Sequence, residues 1–265
     1  MEAGVLPSVK LFQYCDQSLD GRGLLPSKVI WKVYNNEEKF TNYRLCTPVW
    51  IQTFAIMARM LNRIQKTINQ YNKIALLYAQ NISRRIPQEE INYFAKLLKP
   101  HSKILDVGCA AGRDSRIFKD LGFDVIGIDL SEKLLEIAKR NNPDITFKKA
   151  DFRSIPYPND SFDGLWVNAV FHHIDREEMI TALKEFRRVL KANGILYIRT
   201  KQGKGNWKGR EELALNEERE FTLLSSKDLE SMIKKIGLSK IELYSKKDKT
   251  RDLYWIILFC KKVNI

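Results

Sequence analysis

The sequence predicts an α/β fold: a mostly parallel, seven-stranded sheet flanked by helices and preceded by an N-terminal arm and a mainly helical lid. Three observations carry this. From residue 103 onward, short apolar runs alternate with amphipathic helical stretches, the texture of successive βαβ units. The first of those runs leads straight into a small-residue loop and then a helix. Before residue 100 the apolar period is helical, behind an irregular stretch broken by Pro7, Gly21, Gly23 and Pro26.

Taken in order, residues 1–45 read as an irregular arm with short extended pieces such as Val29–Tyr34. Thr47-Pro48 supplies an N-cap with proline at the first helical position, and the stripe Ile51, Phe54, Ala55, Ala58, Leu61, Ile64 continues it as a long helix. It runs on, with a break expected near Asn69 or Asn72, through Ile74, Leu77 and Tyr78. A further helix follows Pro87 across Ile91, Phe94, Leu97 and Leu98 to Pro100. Trp31, Trp50, Phe54 and Met57 suit either an aromatic substrate pocket or plain lid packing. The expected organisation is residues 1–100 as arm and lid and residues 101–265 as the sheet domain.

Strands are expected at Lys103–Val107, Asp124–Ile128, Ile145–Lys149, Phe162–Val167, Ile195–Thr200, Leu238–Ser245 and Tyr254–Lys261. Helices fall between them near Arg113–Leu121, Ser131–Arg140, Glu177–Leu190 and Lys227–Ile236. Ser131 caps the second and Gly237 ends the last. No repeat of 20 to 50 residues is visible, which excludes a solenoid.

Composition sets the class of partner. The chain has 265 residues, is 44% hydrophobic and carries a net charge of +13, enough apolar content to bury a core and exclude disorder as its main state. The excess of positive charge is denser in the first 100 residues, with 14 basic against 7 acidic. Nucleic acid or an anionic small molecule both suit that balance, as does a surface that is merely solubilising. Apolar runs such as Leu253–Cys260 fall well short of the roughly 20 residues of a membrane span. No secretory pattern opens the chain, so a cytoplasmic location and no membrane partner are expected. Cys15, Cys46, Cys109 and Cys260 lie far apart without a CxxC pair, arguing against disulfides and a zinc site.

The informative segment is Lys103-Ile104-Leu105-Asp106-Val107-Gly108-Cys109-Ala110-Ala111-Gly112-Arg113-Asp114. Small residues let a ligand approach the backbone, and the free N–H groups of the following helix favour its acidic portion. The next strand ends in Asp129, 21 residues after Gly108, where a carboxylate accepts both hydroxyls of a ribose. A dehydrogenase G-x-G-x-x-G fails here: its second and third glycines are replaced by Ala110 and Arg113, and the Arg113 side chain would fill the pyrophosphate space. NAD is disfavoured. Asp106, at the strand end, can take the ammonium of a methionine moiety, and Asp151, after the third strand, can accept from an adenine amino group with Phe152 beside the ring. Three acids at three successive strand ends point to S-adenosylmethionine.

With these motifs in hand, the sequence resembles the class I S-adenosylmethionine-dependent methyltransferases, in particular the small-molecule type with a G-R-D ending to the glycine loop. The resemblance extends over Tyr71-Asn72-Lys73-Ile74-Ala75, Phe162-Asp163-Gly164-Leu165-Trp166, Leu190-Lys191-Ala192-Asn193-Gly194-Ile195-Leu196 and the closing Trp255 strand, about three quarters of the chain. It implies a Rossmann-like sheet with its last strand antiparallel. It also implies a cofactor site lined by Asp106, Gly108, Cys109, Ala110, Gly112, Arg113, Asp129, Leu130, Asp151, Phe152 and Asn168, with Tyr71 and Tyr78 closing over it. One departure is Ala110 where the family has glycine; with a negative φ expected there, the extra methyl costs little.

For chemistry, His172 and His173 follow the fourth strand and are the candidate general bases, or else one packs beneath the cofactor and the other lies on the surface. Asn168-Ala169-Val170-Phe171 also falls at the register of an N-P-P-[YF] motif, though without either proline. The basic, glycine-rich stretch Thr200–Arg210 reads as a loop, either a substrate flap or a solvated connection with Trp207 tucked in, and Lys246–Arg251 as a hairpin turn. The expected activity is methyl transfer to a small-molecule acceptor. RNA or tRNA methylation is the alternative, although no RNA-binding module is legible; a non-catalytic cofactor-binding subunit is a third reading.

Overall fold

A computed structural model describes residues 10–13, 31–34, 42–43, 63–211 and 217–263. The chain divides into two compact units, Met1–Arg59 and Met60–Ile265. In the first, strands β1 (Lys10–Gln13), β2 (Trp31–Tyr34) and β3 (Asn42–Tyr43) form an antiparallel sheet in that order. The expected helix start at Thr47, and Trp50, Phe54 and Met57, lie outside the described residues.

The second unit opens with helix α1 (63–73), a single turn residue at Ile74, and α2 (Ala75–Ile82). The break thus falls two residues after Asn72. Helix α3 (Gln88–Leu97) starts after Pro87, as its fixed φ favours, and has Glu89 and Glu90 in its first turn, where the helix dipole stabilises negative charge.

The expected strands are all present: β4 (Lys103–Val107), β5 (Asp124–Asp129), β6 (Thr146–Lys149), β7 (Phe162–Asn168), β8 (Leu190–Lys201), β11 (Leu238–Lys247) and β12 (Tyr254–Lys262). They form one sheet in the order β11-β12-β8-β7-β4-β5-β6. Pairing is parallel from β6 to β8, whereas β12 runs antiparallel to both β8 and β11. Helices α4 (Arg113–Asp120), α5 (Glu132–Asn141), α6 (Arg176–Val189) and α7 (Ser226–Lys235) make the crossovers. Ser131 caps α5 through Leu134 N–H, and Asp175 and Ser225 form capping boxes on α6 and α7.

Alternation along the strands divides the core in two. Leu105, Val107, Leu165, Val167, Leu196 and Ile198 pack against α6 and α7 through Leu183, Phe186 and Leu229. Ile104, Trp166 and Tyr197 point the other way, against Phe94 of α3 and Phe118 of α4. On that second face Trp166 stacks on Tyr197 at 3.8 Å between ring centroids, fixing the β7–β8 register by aromatic contact.

One expectation is corrected. The stretch read as a loop after β8 contains β9 (Asn206–Glu211), paired antiparallel with β10 (Glu217–Thr222). Its apolar content is small, Trp207 and Phe221 being cross-strand partners stacked at 5.3 Å, and the glycines and lysines around them mask the strand period. Trp207 is not tucked away: it is 37% exposed and covers Phe221. The hairpin is tied to α1 by Arg63, which donates to Thr222 Oγ1 at 3.1 Å and pairs with Asp175, and by Gln70, which donates to the Glu218 carbonyl at 2.6 Å.

Candidate active site

The β4 end, the glycine loop and α4 are built as a tight turn. Gly108 has φ +70°, and a Cβ there would sit 2.5 Å from Val170; only glycine permits both the backbone and the approach. Its N–H and that of Cys109 both donate to the Ile128 carbonyl, at 2.8 and 3.0 Å, stitching the loop to the end of β5. Ala110 corrects the expectation: its φ is +48°, in the left-handed region, as is that of Ala169 at +58°. Left-handed backbone costs an L-residue about 1–2 kcal/mol, so the methyl at Ala110 carries strain rather than being neutral.

Asp106 is 2% exposed and accepts from Ser115 Oγ at 2.5 Å. Burial, and next the neighbouring Asp114, push its carboxyl up to about 8, against the opposing pull of Ser115 and Arg113. Asp114 goes the other way: burial disfavours its charge, but Arg113 and hydrogen bonds from Arg113, Asn168 and Trp166 outweigh this and hold it low. Those bonds are Arg113 Nε at 2.6 Å, Asn168 Nδ2 at 2.7 Å and Trp166 Nε1 at 2.9 Å. Asn168 Oδ1 is left buried without a hydrogen-bond partner among the described residues.

At the end of β5, Asp129 accepts from Ala110 N–H at 2.9 Å and Ser131 N–H at 2.8 Å. Burial nevertheless raises its carboxyl, the backbone donors opposing. Asp151 is more committed than its sequence position suggests: both oxygens are engaged by Arg153, which also pairs with Glu178. Phe152 is buried in the core against Phe186 at 5.9 Å as well as bordering the site.

Arg113 borders the larger cavity, but its guanidinium is turned away from the loop toward the helix above. Its guanidinium donates to the Ile82 carbonyl at 2.8 Å and the Arg85 carbonyl at 3.1 Å, at the C-terminal end of α2. From the helices above the sheet come Tyr71 and Tyr78, packed edge to face at 4.9 Å. The Tyr71 hydroxyl meets His173 Nε2 at 3.1 Å. Both histidines are buried, at 2% and 9% exposure, so neither is the surface residue that one sequence reading allowed. Burial above all, then His173 and the cations Lys201, Arg251 and Arg199, holds the His172 imidazole well below its ordinary range. For His173 the causes are burial, then Arg219, Lys201 and Arg63.

Two cavities meet here. The smaller is lined by Asp129, Leu130, Asp151, Phe152 and His173; the larger, about 350 Å³, by Asp106, Cys109, Arg113, His172, Arg199 and Trp255. Six residues line both: Tyr71, Tyr78, Gly108, Ala110, Asn168 and Ala169. The structure therefore brings together every site residue named from sequence except Gly112, which caps α4 with φ +79° against Phe147. Sequence reading missed Arg199 and Phe221 on the wall of the larger cavity, and put Lys201 in a loop that it offered as a substrate flap rather than at the end of β8. The signal for Arg199 and Lys201 was their alternation with Tyr197 along β8; Phe221 lies on β10 and had none. Among the described residues no group of three or more acids, histidines or cysteines is placed to hold a metal ion, and no helix is long and apolar enough to cross a membrane.

The strand-end acids, the left-handed loop and the paired cavities can be set against known proteins. Residues 105–198 match the family model of a methyltransferase domain. That stretch runs from β4 through β8 and contains the glycine loop, Asp129, Asp151, Asn168 and both histidines. Among curated proteins the chain is similar to a demethylmenaquinone methyltransferase of Renibacterium salmoninarum, 32% identical over 99 residues, covering 37% of this chain and 41% of the relative. It is also similar to a malonyl-[acyl-carrier protein] O-methyltransferase of Enterobacter lignolyticus, 27% identical over 144 residues, covering 54% of this chain and 53% of the relative. The matched stretch thus spans about half or less of these relatives' lengths. In fold, the chain is similar to a Burkholderia thailandensis 1,6-didemethyltoxoflavin-N1-methyltransferase, solved with 1,6-didemethyltoxoflavin and S-adenosylhomocysteine, at TM-score 0.61 and 15% identity over 89% of this chain and 96% of that one. A SAM-dependent methyltransferase of Methanosarcina mazei superposes at TM-score 0.60, with 20% identity over 65% of this chain and 98% of that one.

Proposed function

We propose that the protein is an S-adenosylmethionine-dependent methyltransferase acting on a small molecule. The observation that carries this reading is the pair of cavities meeting at Asn168 and Ala169, with an acid at each of three strand ends around them. Buried acids and an unpartnered Asn168 Oδ1 suit a ligand with an ammonium and hydroxyls, and the apolar flank of Leu130, Leu134 and Phe152 suits a purine.

S-adenosylmethionine supplies a methyl group on a sulfonium, open to displacement by a nucleophile. In this reading Asp106 and Asn168 Oδ1 accept from the ammonium, and the Gly108–Gly112 loop, with Cys109, Ala110 and Arg113, shapes the methionine pocket. Asp129 accepts from the ribose hydroxyls. Leu130 and Phe152 border the adenine, and Asp151 accepts from its amino group once it shares its oxygens with Arg153. Tyr71 and Tyr78 close over the junction and exclude water. His172, buried and neutral on the acceptor side, takes a proton from the acceptor, and alignment supplies the rest.

Calorimetric titration tests the reading: S-adenosylmethionine and S-adenosylhomocysteine should bind and NAD should not. Tight RNA binding that weakens by orders of magnitude with moderate salt would instead favour a nucleic-acid acceptor.

A further inference from the structure

The wall of the smaller cavity carries a guanidinium beside its acid. Asp151 closes a tight turn after β6, its Oδ1 accepting from Arg153 N–H at 2.9 Å. The Arg153 side chain then folds back on the same carboxylate, with Nε 3.0 Å from each oxygen and Nη2 on Oδ2. Its remaining nitrogen, Nη1, pairs with Glu178 Oε1. Asp151 and Arg153 both line the cavity, with Phe152 between them in sequence.

This guanidinium is held at both ends. Glu178 is 8% exposed at the N3 position of α6, where its other oxygen accepts from Asp175 N–H at 3.1 Å as half of the capping box. Arg153 is thus fixed between a turn and a helix end, and its rotamer freedom is lost before any ligand arrives. A guanidinium has five N–H groups. Asp151 and Glu178 occupy one on each nitrogen, so among the described residues the second N–H groups of Nη1 and Nη2 have no acceptor.

Purines differ on the edge that such a pair would meet. Adenine presents a 6-amino donor beside the N1 acceptor, whereas hypoxanthine presents a 6-oxo acceptor beside an N1–H donor. A lone carboxylate suits the adenine amino group and leaves the 6-oxo oxygen against its own negative charge, the kind of mismatch by which a polar site rejects an analogue. A carboxylate with a guanidinium fixed at its side offers an acceptor and a donor together. With adenine, the amino group goes to Asp151 and N1 takes Arg153. With hypoxanthine, a slide of about one ring position gives N1–H to Asp151 and the 6-oxo oxygen to Arg153.

We propose that Arg153 is a specificity-determining residue of the cofactor site: its guanidinium donates to the purine edge beside Asp151, so that the site takes 6-oxo as well as 6-amino purine nucleosides. The proposal rests on the methyl-transfer reading and on its placement of the adenine amino group at Asp151.

Titration calorimetry on the full chain tests it with S-adenosylhomocysteine and S-inosylhomocysteine, which differ only at that edge. The parent is expected to prefer S-adenosylhomocysteine by less than about tenfold. Arg153→Met combined with Glu178→Gln removes the cation together with the carboxylate it would leave unpaired. That variant should widen the preference by at least a further tenfold or so, chiefly by losing the inosyl ligand. Arg153→Lys alone, which keeps a donor but not the fork, should give an intermediate ratio. A guanidinium that only braces the turn would weaken both ligands alike and leave the ratio where it was. A parent preference above about tenfold, or a ratio unchanged in both variants, overturns the proposal. Failure of the parent protein to bind S-adenosylhomocysteine would sink the methyl-transfer reading itself, a separate outcome.

Discussion

The Tyr71 hydroxyl and His173 Nε2 lie 3.1 Å apart across 102 residues of sequence, so one of the two adjacent histidines is committed to holding the helix above the sheet. His172 lines the larger cavity, and His173 lines the smaller one. The two histidines therefore have different expected phenotypes. His172→Gln should lower kcat by about 10²-fold or more with little change in acceptor KM. Tyr71→Phe should leave kcat within a few-fold and weaken cofactor binding. Steady-state kinetics on the two variants separate these roles, and equal loss of kcat in both would contradict them.

The pH dependence follows from the same ring. Burial, then His173, Lys201, Arg251 and Arg199, holds His172 well below 6.5, so it stays neutral through the physiological range. The acid limb of kcat should accordingly lie below the ordinary histidine range. Lys201→Met removes a neighbouring positive charge, raises the His172 pKa and should move that limb upward. For stability the sign is also fixed: the unfolded chain binds protons near pH 6.5 that the folded chain refuses. The contribution from both histidines is thus fully present above about 6.5 and is lost as pH falls below it. Urea unfolding of the parent and a His172→Gln variant across that window measures the difference.

Asp106 makes a prediction about protons. With its carboxyl near 8, it is mostly protonated at pH 7. Accepting from a ligand ammonium requires the charged form, so cofactor binding at pH 7 should be accompanied by a net release of protons. Titrations in two buffers of different ionisation enthalpy read that release, and Asp106→Asn should abolish it. Asp106 titrates with opposite sign to the histidines in stability. Its proton, held when folded but not when unfolded, stabilises below the unfolded carboxylate range, and this is lost as pH rises through about 8.

Ala110 is the position for a stabilising change. At φ +48° it forgoes the conformational freedom of glycine, and the strain relieved by Ala110→Gly exceeds the added flexibility of the unfolded chain. A gain of about 0.5–1 kcal/mol is expected. Chemical denaturation checks it, and a loss of stability would mean that the loop relaxes the strain elsewhere.

Asp129→Ala should reduce cofactor affinity by about 2 kcal/mol, a loss of roughly 30-fold, because two hydroxyl partners of a charged acceptor disappear together. The variant also leaves Ala110 N–H and Ser131 N–H without their carboxylate. A modest fall in melting temperature should therefore accompany the weaker binding.

How much of this was legible in the sequence depended on how locally each feature is specified. The parallel strands were readable to within a few residues at most ends because they are buried on both sheet faces, Leu105, Val107, Leu165 and Val167 on one and Ile104 and Trp166 on the other, and so form near-continuous apolar runs. The strand-end acids followed from those ends. The β9–β10 hairpin was missed because Gly203, Gly205 and Gly209 among lysines look like loop, and its one cross-strand aromatic pair, Trp207 with Phe221, spans a break in the chain pattern. The positive φ of Ala110 was missed because nothing in a neighbouring residue signals it; the tie of its N–H to Asp129 does, and that tie joins positions 19 apart.

Arg113 grips the carbonyls of Ile82 and Arg85 with one nitrogen and Asp114 with another, and Asp114 in turn holds Trp166 and Asn168. The roof helix, the glycine turn and the β7 side chains are thus joined through a single guanidinium, like one hinge pin through three leaves. Lifting α2 to admit or discharge a ligand pulls on the very residue that pairs with Asp114, so the doorway and the floor of the pocket do not open separately. Exchange of a spent cofactor would then be a concerted, all-or-none breathing event. Amide hydrogens at the end of α2 and in the 168–171 turn would exchange with solvent at a common rate.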